Sequence, residues 1–175
     1  MLKKYISLLR AVNVGGKNLL PMKDLKKELI NAGFQNVQTY LQSGNLILED
    51  QRSSHAVNQE IQDLIKDKFE LEISVLTYTD HDFKEIFNAH PFIDGSFDTR
   101  KIYFSFLLTN PNQNLLDEFL NKTFLGEKFI FLNGVLYCYY ENGYGKSKMN
   151  GSSIEKKLKA TCTVRNYNTA LKLAS

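Results

Sequence analysis

Two apolar, aromatic runs, Phe129 to Leu132 and Val135 to Tyr140, are separated only by Asn133-Gly134. Asn-Gly supplies the two positive-φ positions of a type I′ turn, whose twist matches that of the strands it joins. This predicts a hairpin, and neighbouring elements must be built around it. Upstream, Ile102 to Leu108 reads as a strand. A helix starting at Asn110 or Asn112 carries Leu115, Leu116, Phe119 and Leu120 at helical spacing. Downstream, Ser152 with Glu155 three residues on is a capping-box spacing, followed by Ile154 and Leu158 on one face. Thr161 to Val164 reads as a short last strand and Asn166 to Leu173 as a final helix.

The same order precedes it. Tyr5 to Val12 is a buried strand, and Pro21 suits a first helical position. Met22, Leu25, Leu29 and Ala32 follow at helical spacing, with Gly33 as a left-handed stop. Asn36 to Gln42 and Asn45 to Glu49 form strands joined at Ser43-Gly44. Val57, Ile61, Leu64 and Ile65 face one side of a helix, Ile73 to Tyr78 is a strand, and Asp80 can cap a short helix. Strand, helix, hairpin, helix, strand occurs twice, which is the split-βαβ order. The expected fold is α+β: a first ferredoxin-like half at 1–95 and a second at 96–175 with a C-terminal helix. The two are packed as one functional unit, and Asp94 to Thr99 is the linker candidate. Identity between the halves is not evident by eye.

Composition sets further bounds. Of 175 residues 43% are hydrophobic, enough for a core without disulfide or metal. The net charge of +3 neither demands nor excludes an anionic partner. Cys138 and Cys162 form no secreted framework and no zinc pattern, so buried, reduced thiols are expected. The N-terminal apolar run is broken by Arg10 with no cleavage site after it. No stretch is long enough for a membrane span, and a cytoplasmic protein is expected.

Polar residues gather in a few places. Leu8 to Asn18 runs from an apolar strand into Arg10, Asn13, Gly15, Gly16, Lys17 and Asn18; Thr163 to Thr169 holds Arg165, Asn166 and Asn168. A glycine turn before a helix can cradle phosphate with its N–H groups, but the spacing is neither that of a P-loop nor that of a dinucleotide fingerprint. The alternative is a plain turn. An arginine ending an apolar strand needs a carboxylate, phosphate or carbonyl partner. Asn13, Gln42, Ser43, Asn45, Asn166 and Asn168 suit recognition of a base or sugar, and equally suit turns and caps. His55, His81 and His90 do not cluster with cysteine, so no metal site is expected. His90 before Pro91 is most simply a turn residue.

Five motifs in register carry a resemblance: Leu8-Leu9-Arg10-x-x-Asn13-Val14-Gly15-Gly16-Lys17, Tyr40-x-Gln42-Ser43-Gly44-Asn45, His90-Pro91-Phe92, Gly145-Lys146-Ser147-Lys148 and Thr163-x-Arg165-Asn166-x-Asn168-Thr169. Together they resemble the bacterial family catalogued as domain of unknown function 1697, over the whole chain. The family pattern has Gly after the arginine where this chain has Ala11. The resemblance implies two ferredoxin-like subdomains and brings no established reaction or cofactor.

The leading expectation is therefore a protein that binds a small anion, a nucleotide or phosphorylated metabolite, at a cleft of the motif loops. Arg10, Lys17 and Arg165 would meet the anion, with Asn13, Asn45, Asn166 and Asn168 orienting the rest; whether chemistry follows is left open. The alternatives are an RNA- or single-strand-binding module, stacking bases on Tyr137 and Tyr139 with Tyr103 joining them, or a protein-interaction domain.

Overall fold

The computed structural model describes residues 1–175. Its first elements are β1 (Lys3–Leu9), α1 (Met22–Asn31), β2 (Gln35–Tyr40), β3 (Asn45–Asp50), α2 (Ser54–Phe69), β4 (Val75–Thr79) and α3 (Asp80–Asn88). There follow β5 (Ile102–Leu107), α4 (Gln113–Leu120), β6 (Glu127–Leu132), β7 (Val135–Tyr140), α5 (Gly151–Leu158), β8 (Cys162–Asn166) and α6 (Tyr167–Ala174). Two four-stranded antiparallel sheets result, ordered β2-β3-β1-β4 and β6-β7-β5-β8. Each has the β-α-β-β-α-β connection, so the fold is α+β with two ferredoxin-like halves, as the sequence predicts. The chain divides into two compact units, Met1–Lys84 and Glu85–Ser175, the division falling inside α3. No helix is long and apolar enough to cross a membrane.

In the first unit β1 is bonded along one edge to β3 and along the other to β4. Strand alternation puts Tyr5, Ser7 and Leu9 on one face. There Tyr5 and Leu9 join Leu25 and Leu29 of α1 and Val57, Ile61 and Ile65 of α2 in one buried core. Each such side chain contributes about 1.5–3 kcal/mol. A polar thread crosses this core. Ser7 Oγ lies 2.8 Å from Thr77 Oγ1, which donates to Asn58 Oδ1 of α2 at 3.1 Å.

The second unit repeats this frame side chain by side chain. Tyr103-Phe104-Ser105-Phe106-Leu107 on β5 takes the place of Tyr5-Ile6-Ser7-Leu8-Leu9 on β1. Leu9 N–H donates to Gly44 O at 2.8 Å, and Leu107 N–H to Gly134 O at 3.0 Å. One residue on, Arg10 N–H donates to Ser74 O at 2.9 Å, and Leu108 N–H to Thr161 O at 2.8 Å. Leu107, Leu136, Cys138 and Tyr140 pack with Leu116 and Phe119 of α4 and with Ile154 and Leu158 of α5. Both cysteines are buried free thiols.

Three helix starts test the reading of caps. Asn112 caps α4, accepting from Leu115 N–H at 3.2 Å, and Asn166 caps α6, accepting from Thr169 N–H at 2.9 Å. The cap of α5 is Asn150, not Ser152: its Oδ1 accepts from Ser153 N–H at 3.1 Å. Glu155, expected in the capping box, instead accepts from Cys162 N–H at 2.8 Å and ties the helix to β8.

The other face of the second sheet is covered by the unit's own chain. Tyr137 O–H donates to Ile86 O at 2.9 Å, and Phe87 stacks on Phe104 with ring centroids 5.8 Å apart. His90 packs edge-on against Phe104 and Tyr167, and Phe92 and Phe97 pack on Tyr139. Tyr103 does not join Tyr137 and Tyr139. Its register partner is Cys138, so it shares the helix-facing side and stacks on Tyr144 at 4.6 Å.

The repeat is broken at one polar pair. Thr77 stands opposite Ser7, but Val164 stands opposite Ser105, whose buried hydroxyl has no hydrogen-bond partner. Ser105→Ala is expected to leave stability unchanged or raise it, while Ser7→Ala lowers it by about 1–3 kcal/mol. Chemical denaturation of the two variants checks the contrast.

Candidate functional site

Arg10 follows the last residue of β1 and is half-buried. The chain then leaves the sheet until α1 begins at Met22. Asn13 organises this loop. Its N–H donates to Asn18 O at 3.0 Å, its Nδ2 donates to Leu20 O and Gln42 O, each at 2.9 Å, and its Oδ1 accepts from Leu20 N–H at 2.8 Å. Asn18 Nδ2 closes the base of the loop on Ala11 O at 2.9 Å. Between them Val14 and Lys17 form a miniature hairpin, with Lys17 N–H donating to Val14 O at 3.0 Å. Gly15 and Gly16 sit at its tip with φ 58° and 74°, the geometry of a type I′ turn. The glycines are thus the tip of a projecting hairpin and not the mouth of a helix, because Lys17 to Pro21 intervene before α1.

The β2–β3 turn lies beside this loop. Leu9 N–H reaches Gly44 O, and Asn13 reaches Gln42 O. Asn45 is fully buried, and its Nδ2 donates to Tyr40 O at 2.7 Å and to Ser43 Oγ at 3.1 Å. One end of the first sheet therefore gathers Arg10, Asn13, Gly15, Gly16, Lys17, Gln42, Ser43 and Asn45. Asn13 and Asn45 use their amides to brace the two loops; Lys17, Gln42 and Ser43 are exposed. Non-glycine residues hold left-handed backbone here at Ala11, Asn13, Asn18 and Leu41. For an L-residue this costs about 1–2 kcal/mol. Ala11 at φ 54° stands where the resemblance has Gly, the one sequence-level hint of this strain; Leu41 gave none.

Arg165, Asn166 and Asn168 lie together in the second unit. Asn166 pairs with Tyr103 near the start of β5, whereas Arg10 follows the end of the corresponding strand β1. Arg165 is nine-tenths buried, and its Nη1 donates to Thr163 Oγ1 at 2.7 Å and Val164 O at 2.9 Å. Burial lowers its pKa to about 10, so it stays charged at neutral pH. Asn166 caps α6, and Asn168 is exposed in its first turn. No group of His, Cys, Asp and Glu is arranged to hold a metal ion.

The repeated frame shows what the fold itself requires. Residues 10–21 connect β1 to α1, but only residues 108–112 connect β5 to α4. Leu108 stands in the second unit where Arg10 stands in the first, and Val135 where Asn45 stands. The same architecture thus forms without the arginine, the buried amide or the glycine hairpin.

Two stability measurements follow. A Cβ at Gly44 would lie 2.5 Å from Val12 Cγ2 and 2.7 Å from Leu9 Cβ, whereas Gly134 has open space around it. Both have positive φ. Gly44→Ala is expected to cost about 2–4 kcal/mol and Gly134→Ala about 1–2 kcal/mol, read as separate Tm shifts. His90 is buried among Phe87, Phe104 and Tyr167, and burial holds its pKa below the ordinary 6.5. The unfolded chain then takes up the proton first as pH falls, so stability is full above about pH 6.5 and declines below it. Tm is expected to drop between about pH 7 and pH 5.5 in the native protein, and to drop less in His90→Phe.

The comparisons with known proteins bear on this geometry only through family and fold. The solved structure of the conserved bacterial protein SP0830 from Streptococcus pneumoniae superposes with a TM-score of 0.75 at 20% identity, covering 99% of this chain and 98% of that one. A likeness at that identity speaks for the fold alone. A search of curated proteins finds no match. The family model described as "Protein of unknown function (DUF1697)" matches residues 2–137, most of the chain. That span includes the Arg10 loop, the Gln42–Asn45 turn and the His90 segment, and the chain belongs to this family.

Proposed function

We propose that the loop end of the first half binds a small anionic ligand, a nucleotide or a phosphorylated metabolite. The observation that carries this reading is the contrast between the halves. One frame is built twice, yet the arginine and the lysine-bearing glycine hairpin occur in the first copy only, and left-handed non-glycine residues gather there at Ala11, Asn13, Asn18 and Leu41 against Asn133 alone in the matching loops of the second. Backbone strain of this kind concentrates at functional sites because a looser loop would relax it. Arg10 and Lys17 supply positive charge, Gln42 and Ser43 supply neutral hydrogen-bonding groups, and Asn13, Asn18 and Asn45 hold the loops in place. Residues 8–20 and 40–46 contain no Asp, Glu, His or Cys. The two segments therefore offer groups that recognise an anion, and no carboxylate, imidazole or thiol beside them.

A protein-interaction role has one observation in its favour. Val14, Leu19 and Leu41, on the same two loops, are 62%, 69% and 53% exposed. The RNA-stacking role is disfavoured by the sheet itself, since Tyr137 is buried and Phe92 and Phe97 already pack on Tyr139.

Thermal shift against nucleotides, sugar phosphates and short single-stranded RNA, at low and moderate salt, separates these roles. A small phosphate at 100 times its Kd adds about 2.7 kcal/mol and raises Tm by about 5–10 °C. The shift is expected to vanish in Lys17→Ala, whose exposed side chain carries no part of the fold. A salt-sensitive response to RNA alone, or no response to any small anion, overturns the reading.

A further inference from the structure

The fourth motif, Gly145-Lys146-Ser147-Lys148, belongs to the second unit. It lines a cavity of 560 Å³ in the second unit, within the size range of small-molecule sites. One wall comes from Phe124 and Leu125, just before β6, and from Glu127. The other comes from Lys146, Ser147 and Lys148, with Tyr140 and Met149 between.

Hydrogen bonds along each wall, and one between the walls, fix the lining of this cavity. Glu127 N–H donates to Phe124 O at 3.2 Å, and Glu141 N–H to Gly126 O at 2.8 Å, which fixes the chain entering β6. Ser147 O–H donates to the Glu127 carboxylate and so joins the two walls, and Ser147 Oγ accepts from Met149 N–H at 2.8 Å. Tyr140 O–H donates to Met149 O at 2.8 Å, and Gly151 N–H donates to Tyr144 Oη at 3.0 Å. Ser147 and Glu127 thus serve each other, and the two lysines flank a fixed point.

The lining has two characters. Phe124, Leu125, Tyr140 and Met149 give an apolar side, and Leu125 at the mouth is 98% exposed. Lys146 and Lys148 give two positive charges against the one carboxylate of Glu127. A purely polyanionic ligand would meet that carboxylate, and a neutral apolar one would leave the lysines unused. We infer that this cavity is a second ligand site, taking a small organic anion with a single charged head and an apolar ring or chain. Its head lies toward Lys146 and Lys148 and its body toward Phe124 and Leu125. The inference does not depend on the loop end of the first half.

The test is a titration of the full-length protein with phenyl phosphate, followed by amide chemical shifts in ¹H–¹⁵N NMR spectra. Inorganic phosphate and benzyl alcohol are titrated in parallel. Saturable shifts at Leu125, Lys146 and Met149 are expected, with Kd of about 1 mM or tighter, and at least about tenfold weaker binding for either half-ligand. The double variant Lys146→Ala/Lys148→Ala alters only exposed side chains, and its spectrum reports directly that it is folded. It is expected to weaken binding at least about tenfold, while Lys17→Ala leaves it unchanged. Four results would each overturn the inference: no saturation by phenyl phosphate, inorganic phosphate binding equally well, unchanged affinity in the double variant, or loss of these shifts in Lys17→Ala.

Discussion

Each half depends on a central strand that is hydrogen-bonded along both edges. β1 sits between β3 and β4, and β5 between β7 and β8. A strand in that position has its backbone groups satisfied on both sides and cannot slip by one residue without turning its buried side chains to the wrong face. Tyr5 and Leu9, or Tyr103 and Leu107, then fix where the helices lie. The tie from the last leucine to the hairpin glycine fixes where the sheet stops. The two halves differ in the loops beyond that tie, where the first sends Val12 and Leu20 back into its core.

Much of this was legible in the sequence because it rests on local chemistry. Asn133-Gly134 specified its hairpin through the backbone alone, and Asn112 and Asn166 specified their helix starts through one hydrogen bond each. The capping box at Ser152 misled because two features compete over one turn: Asn150 begins the helix earlier, and Glu155 has a stronger use against Cys162 N–H. Tyr103 lies on the face opposite Tyr137 and Tyr139 because its register against Cys138 is set between strands, and spacing within a strand carries no such information. The Tyr-x-Ser-x-Leu repeat was present in the letters, but five residues among 175 gain meaning only when both copies make the same backbone bonds.

The polar motifs divide by what the structure does with them. Asparagines that suggested recognition are largely braces: Asn13 and Asn45 hold loops, and Asn166 holds a helix. Sequence cannot separate these uses, since an amide that orients a ligand and one that closes a turn have the same donors and acceptors. Charge is more telling. Arg165 lies nine-tenths buried against its own strand, while Lys17, after two glycines, stands exposed at a projecting tip.

The tie between the last leucine of the central strand and the hairpin glycine also bears on how such a protein can change over generations. Both connections leave the sheet from the same bonded point, one with residues 10–21 and the other with 108–112. Closing the longer loop costs only about 0.8 kcal/mol more than closing the shorter, since the entropy grows with the logarithm of length. Insertions at this point are therefore nearly free of consequence for folding. A half with a short connection is raw material: it can acquire a new loop, and with it a new specificity, while the sheet beneath stays as it was.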